Sequence, residues 1–385
     1  MSVANNKMAL GPLPSLPIGI RSSYLPDING LNMHFLEAGF DRPSKGRVLL
    51  LHGFPELAYS WRKVMLPIAQ AGFHVVAPDQ RGYGRTTGWH GDYDGALAPS
   101  KPLNLVQDAL ALVSALGWHN VTTVVGHDFG SSVAAWSALV RPDVFQSVVM
   151  MSAPFGGPPA LRPTAANAWG GDLHAALAGL PRPRKHYQWY YATREADNNM
   201  CLATQGIHDF LRAYYHHKSA DWVQNQPVKL AGVEAHELAK MPTYYLMDVA
   251  EGMAETVAHE MPSTQKIAAC QWLSDVELAV YAAEFARTGF QGALNWYRAS
   301  IDETLGSELK LFSGRTIAVP SLFLAGEKDW GIYQKPGAFE AMQNKACSQM
   351  KACHLIPGAG HWVQQEQPGR VVELISSFVA ETHAI

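Results

Sequence analysis

The chain has 385 residues, 48% of them hydrophobic, with 30 Lys and Arg against 33 Asp and Glu. That length allows a full core plus an inserted subdomain, and a net charge of −3 with no basic run leaves no electrostatic footprint for nucleic acid or an anionic membrane surface. Cys201, Cys270, Cys347 and Cys353 lack C-x-x-C spacing, Pro12, Pro14 and Pro17 break the N-terminal apolar stretch, and no run approaches a span of ~20 apolar residues; a cytoplasmic protein with no metal, nucleic-acid or membrane partner is expected.

In chain order, a Pro- and Gly-rich arm (residues 1–24) reads as irregular. Short runs rich in Val, Ile and Leu then predict strands at 33–37, 47–51, 74–78, 122–126, 148–152, 320–325 and 354–356. Apolar residues at helical spacing between them, from Leu105 to Leu116 and from Val371 to Val379, predict helices packed on a largely parallel, fully buried sheet. From Pro154 to Ile301 the alternation stops, giving way to Trp- and Tyr-rich helical stretches with many breakers, and it resumes at Ile317–Pro320. The organisation expected is an α/β core in two parts (25–153 and 302–385) with an all-helical cap (154–301) inserted after about the sixth strand.

Gly126-His127-Asp128-Phe129-Gly130 follows an apolar run and precedes a small-residue helical stretch. This is the strand, sharp turn and helix context of a nucleophile elbow, with aspartate where serine is usual. Aspartate is also a preferred helix N-cap, but the flanking glycines fit a strained turn that leaves no room for Cβ atoms. A serine must lose its proton before attacking, whereas an aspartate is already ionised at pH 7. A carboxylate attacking saturated carbon forms an ester with the enzyme, so the matching chemistry is displacement at a strained or activated carbon followed by ester hydrolysis.

His52-Gly53-Phe54-Pro55 closes the strand ending at Leu51. Beside such an elbow, the loop at this place donates one backbone N–H to an oxyanion hole and the residue after the nucleophile donates another, which assigns the amides of Phe54 and Phe129. His361 lies in the Gly-rich loop Pro357–Trp362 before the final helix. The order nucleophile, acid, histidine calls for an acid after the preceding strand, and Glu327 and Asp329 both stand there.

With these residues in place the chain resembles the epoxide hydrolases of the α/β-hydrolase superfamily, from about residue 25 to 383. The resemblance is carried by His52–Glu56, Asp79–Gly84, Gly126–Asp128, Glu327–Asp329, Gly360–Trp362 and above all Tyr281–Phe285 running on to Gly289–Arg298. It implies an α/β-hydrolase core, a mostly parallel sheet of about eight strands with helices on both faces, under the inserted cap. It favours Asp329 over Glu327 as the acid. It also implies two ring-opening tyrosines in the cap, at Tyr281 and Tyr187; Tyr190 and Tyr191 share a helical face with Tyr187 and compete with it. Family members usually carry Trp-Gly-Gly after the nucleophile, where this chain has Phe129-Gly130-Ser131.

The implied reaction needs no cofactor. Asp128 attacks an epoxide carbon while the two phenols donate to the ring oxygen; then His361, oriented by Asp329, activates water against the ester and a vicinal diol leaves. The aromatic cap suggests an apolar or aromatic substrate. A dehalogenase of the same fold is the nearest rival, but it needs N–H donors around a halide, and Phe129 removes the usual indole. A non-catalytic small-molecule-binding protein is a rival from another class, though all three triad positions are filled.

Overall fold

The computed structural model describes residues 11–162 and 172–383. The first ten residues of the expected arm and residues 163–171 of the expected cap lie outside the described residues.

Ten strands follow one another as β1 (Ile20–Ile28), β2 (Leu31–Ala38), β3 (Gly46–Leu51), β4 (Phe73–Pro78), β5 (Thr123–His127), β6 (Val148–Met151), β7 (Arg184–His186), β8 (Leu246–Asp248), β9 (Ser321–Gly326) and β10 (Met350–Ile356). Eight of them form one sheet in the order β1-β2-β4-β3-β5-β6-β9-β10. The pairs β1/β2 and β2/β4 are antiparallel and the rest parallel. Inner strands such as β5 and β9 are buried along their whole length, which is why they read as unbroken apolar runs rather than alternating ones. Helix Arg62–Gln70 packs against helix Pro368–His383, and helix Pro102–Ala115 against helix Phe129–Val140. Among the described residues no helix is long and apolar enough to cross a membrane.

Two expectations are corrected. The arm is not irregular to residue 24: it enters the sheet at Ile20 as β1 and turns into β2 through Asn29 and Gly30, both at positive φ. Only Ile20 and Ile28 of β1 are buried, so an edge strand of this kind carries no apolar run. The segment between β6 and β9 is not all-helical either, because β7 and β8 pair antiparallel within it. Three residues each, one of them the polar Arg184-Lys185-His186, are too few to show a period of two.

The parallel register sets up a site. Leu51 pairs with Gly126, His127 with Met151, and Met151 with Leu324, so these strands end side by side. The loops leaving them carry His52–Glu56, Asp128, Ser152 and Asp329 along one edge, the usual place for ligands in α/β sheets.

Candidate active site

Asp128 sits between β5 and helix Phe129–Val140 with φ 53° and ψ −119°, a backbone region costly for any residue with a Cβ and typical of functional positions. The turn closes because its neighbours are glycines: a Cβ on Gly126 would lie 2.0 Å from the Gly130 carbonyl oxygen, and one on Gly130 2.2 Å from that of Leu51. The carboxylate does not cap the helix behind it. It points at the loop after β3, where Oδ1 accepts the Phe54 N–H at 3.0 Å. Phe129 is the first residue of its helix, so its N–H is one of those a helix leaves without an internal partner.

On the other side, His361 Nε2 lies 3.4 Å from Asp128 Oδ2, and His361 Nδ1 lies 3.1 Å from Asp329 Oδ1. Asp329 is buried, its Oδ1 also accepting the Gly331 N–H at 2.7 Å, whereas Glu327 is exposed. Geometry thus sets Asp329, and not Glu327, against the imidazole. Burial opposes the charge of both acids, but His361 outweighs it and holds both carboxyls below the usual range; for Asp128, Lys218 and His127 add to the effect, and for Asp329 the Gly331 amide does.

Of the tyrosines, the structure brings Tyr187 to this cluster. Its hydroxyl donates to Gln334 Oε1 at 3.1 Å and accepts from Gln188 at 3.2 Å, and burial, then the Asp128 charge, raise its pKa well above 10. Burial, then Glu255 and Glu195 rather than Asp128, raise the Tyr190 pKa, and the Tyr191 hydroxyl donates to that of Tyr214 at 3.2 Å.

Tyr281 is not brought to Asp128. Helix Asp275–Thr288 turns it, one helical turn after Glu277, towards the start of helix Arg62–Gln70, where Arg62 pairs with Glu277 at 2.9 Å. The Tyr281 hydroxyl lies 2.8 Å from Ser60 Oγ, 3.2 Å from Gln365 Oε1 and 3.3 Å from Arg62 Nη1. A phenol of the next helix, Gln291–Ile301, does stand in the cluster, that of Tyr297. Its ring meets those of Phe129 and Tyr191 at 5.0 Å, Phe54 at 5.6 Å and Tyr187 at 6.0 Å. Burial, then the Asp128 charge, raise the Tyr297 pKa well above 10. Tyr297 lies inside the segment that carries the resemblance, in Asn295-Trp296-Tyr297-Arg298, so that segment holds both tyrosines.

Three further groups were missed. Glu56 Oε2 accepts from His127 Nδ1 at 2.6 Å while His127 Nε2 faces the His361 carbonyl at 2.7 Å. Both partners are acceptors and favour the protonated ring; burial opposes this, but Glu56 prevails and raises the His127 pKa. Both residues lay in quoted motifs. Lys218, buried at the end of helix Gly206–Lys218, holds its ammonium 5.1 Å from the Tyr245 ring centroid and 5.4 Å from that of Trp362, and nothing in its sequence context announces that. A separate cavity of about 180 Å³, lined by Arg212, His216, Asp221 and Trp272 among others, contains none of these groups.

Residues 46–185 match the alpha/beta hydrolase fold family. Epoxide hydrolase A of Mycobacterium tuberculosis is 31% identical over 369 residues, covering 94% of this chain and 98% of the relative. The chain belongs to the epoxide hydrolase family. An epoxide hydrolase from Caballeronia sordidicola is 29% identical, with 93% of each chain covered. Among solved structures, an epoxide hydrolase from an endophytic Streptomyces superposes with a TM-score of 0.74 at 29% identity, covering 94% of this chain and 96% of that one. Potato epoxide hydrolase I gives 0.69 at 29%, covering 94% and 99%. Family membership and an eight-stranded sheet of this order together bear out the α/β-hydrolase fold expected from sequence.

Proposed function

We propose that the protein hydrolyses an epoxide to a vicinal diol through an ester of Asp128. In the first step Asp128 Oδ2 attacks an epoxide carbon while Tyr187 and Tyr297 donate to the ring oxygen. Phenols whose pKa is raised stay protonated and can donate as alkoxide charge develops. In the second step His361 Nε2, with Nδ1 turned to Asp329, takes a proton from water, which attacks the ester carbonyl. The Phe54 amide, already on Oδ1, and the Phe129 amide take the oxyanion; one such donor is worth about 3 kcal/mol.

The observation that carries this reading is the division of the Asp128 carboxylate, with one oxygen on the Phe54 amide and the other 3.4 Å from His361 Nε2. Residues 154–301 act here as a cap over the core of 25–153 and 302–385, and the cap supplies the two phenols. Phe54, Phe129 and Tyr191 around Tyr297 favour an apolar or aromatic epoxide. Halide displacement is disfavoured by donor chemistry: the indoles of Trp296 and Trp362, packed on Phe129 and His361, donate to the carbonyls of Arg81 and Tyr215 instead.

The test is incubation with styrene oxide and, separately, a bromoalkane. Diol from the first without bromide from the second is expected, and His361→Gln should accumulate protein heavier by one epoxide in intact-mass spectrometry. Bromide release, or no product from either class, contradicts the assignment.

A further inference from the structure

Glu366, at the end of the short helix Val363–Glu366, takes no part in the steps above, yet its carboxylate accepts three main-chain N–H groups. Oε2 accepts from Ala220 at 2.8 Å and Gly360 at 3.0 Å, and Oε1 from Trp362 at 2.9 Å. The amide between the last two, that of His361, donates to the Lys218 carbonyl at 2.9 Å. Three consecutive amides, 360 to 362, are therefore pinned, alternately by Glu366 and by the chain at 218–220 between β6 and β9. The two backbones touch: a Cβ on Gly360 would lie 2.5 Å from Ala220 N and from Ser219 C. The His361 carbonyl is fixed too, by His127 Nε2 at 2.7 Å and Ser152 Oγ at 3.1 Å.

We propose that Glu366 is a positioning residue: it fixes the main chain on both sides of His361 and locks that segment to the 218–220 turn, so that the imidazole is held for attack of water on the ester. The inference rests on the ester mechanism proposed above. Ring opening does not depend on this clamp, because Asp128 is set by the glycine turn and the Phe54 amide, and the phenols stand on other helices. Ester hydrolysis does depend on it, since the whole imidazole is carried by residues 360–362. A carboxylate offers acceptors at both ends, whereas the amide of a glutamine turns an NH2 group against one of the three N–H donors.

The test measures ester formation and ester hydrolysis separately, by rapid-quench intact mass with styrene oxide, in the wild-type protein, Glu366→Gln and Glu366→Asp. A displaced base can lose about a hundredfold in rate, so ester hydrolysis in Glu366→Gln should fall by at least about tenfold while ester formation stays within about twofold, and the ester should accumulate at steady state. Glu366→Asp, which keeps two acceptor oxygens on a shorter arm, should recover part of the hydrolysis rate; if the glutamine variant fails to fold, the aspartate variant should still show the slower second step. Both rates falling together, or neither changing, overturns the proposal. If the wild-type protein itself forms no ester, the proposed function fails instead.

Discussion

The Tyr281 hydroxyl and Arg62 Nη1 are hydrogen-bonded at 3.3 Å. This bond sits in a buried knot with Ser60 and Gln365 that ties the helix Asp275–Thr288 to the core. The Tyr281 phenol is thus held by Ser60, Gln365 and Arg62. Tyr297, one helix later, is buried among Phe54, Phe129 and Tyr187, and among the described residues no hydrogen bond engages its hydroxyl.

The two tyrosines should therefore separate cleanly on removal of the hydroxyl. Tyr297→Phe should slow single-turnover ester formation by about tenfold or more, the order lost with one donor to a developing oxyanion. Tyr281→Phe should leave that rate within about twofold and instead lower stability by about 1 to 2 kcal/mol, read by denaturant unfolding. Slower ester formation in Tyr281→Phe at unchanged rate in Tyr297→Phe would reverse the assignment.

Much of this was legible in the sequence because the constraints there are local. Gly126 and Gly130 signal a turn with no room for Cβ atoms, and the inner strands announce themselves as apolar runs because both faces are buried. What stayed hidden depends on contacts between distant segments. Strand β1 earns its place by pairing with β2 rather than by hydrophobicity. Choosing between Tyr281 and Tyr297 required knowing which way two consecutive helices face. Glu327 and Asp329 were tied on spacing alone and are told apart by burial, and Lys218 reaches its aromatic surroundings only through the fold.

The pH dependence of ester formation follows from two shifts of opposite sign. Asp128 is held below the usual carboxylate range, so its charged form persists into acid; Tyr187 and Tyr297 are raised well above 10, so their donor form persists into base. Single-turnover ester formation should be flat from about pH 5 to about pH 10, within the folded range. An alkaline decline centred at or below about pH 10 would mean that the donors are no more basic than ordinary phenols.

Asp79 supplies an acid-stability test. Its Oδ1 accepts the Ala58 N–H at 2.9 Å, and Oδ2 faces His34 Nδ1 at 2.7 Å and the Arg85 N–H at 2.9 Å. Burial opposes its charge, but His34, His52 and the Arg85 amide prevail and bring its pKa down to about 2. A carboxyl depressed in the folded state stabilises above its unfolded value of about 3.9, and that contribution is lost as pH falls towards the folded value. Asp79→Asn should cost on the order of 2 kcal/mol at neutral pH, with the gap to the wild-type protein narrowing from about pH 4 to about pH 2. Equal stability at neutral pH in urea unfolding would contradict this.

The central claim is that Asp128 bonds covalently to substrate, and one turnover in 18O-enriched water with enzyme in excess over styrene oxide tests it directly. Water attacks the ester carbonyl in this mechanism, so the label should appear in the proteolytic peptide containing Asp128, while the diol takes its new oxygen from the aspartate and remains unlabelled. A labelled diol with an unlabelled Asp128 peptide would show that water attacks the epoxide itself.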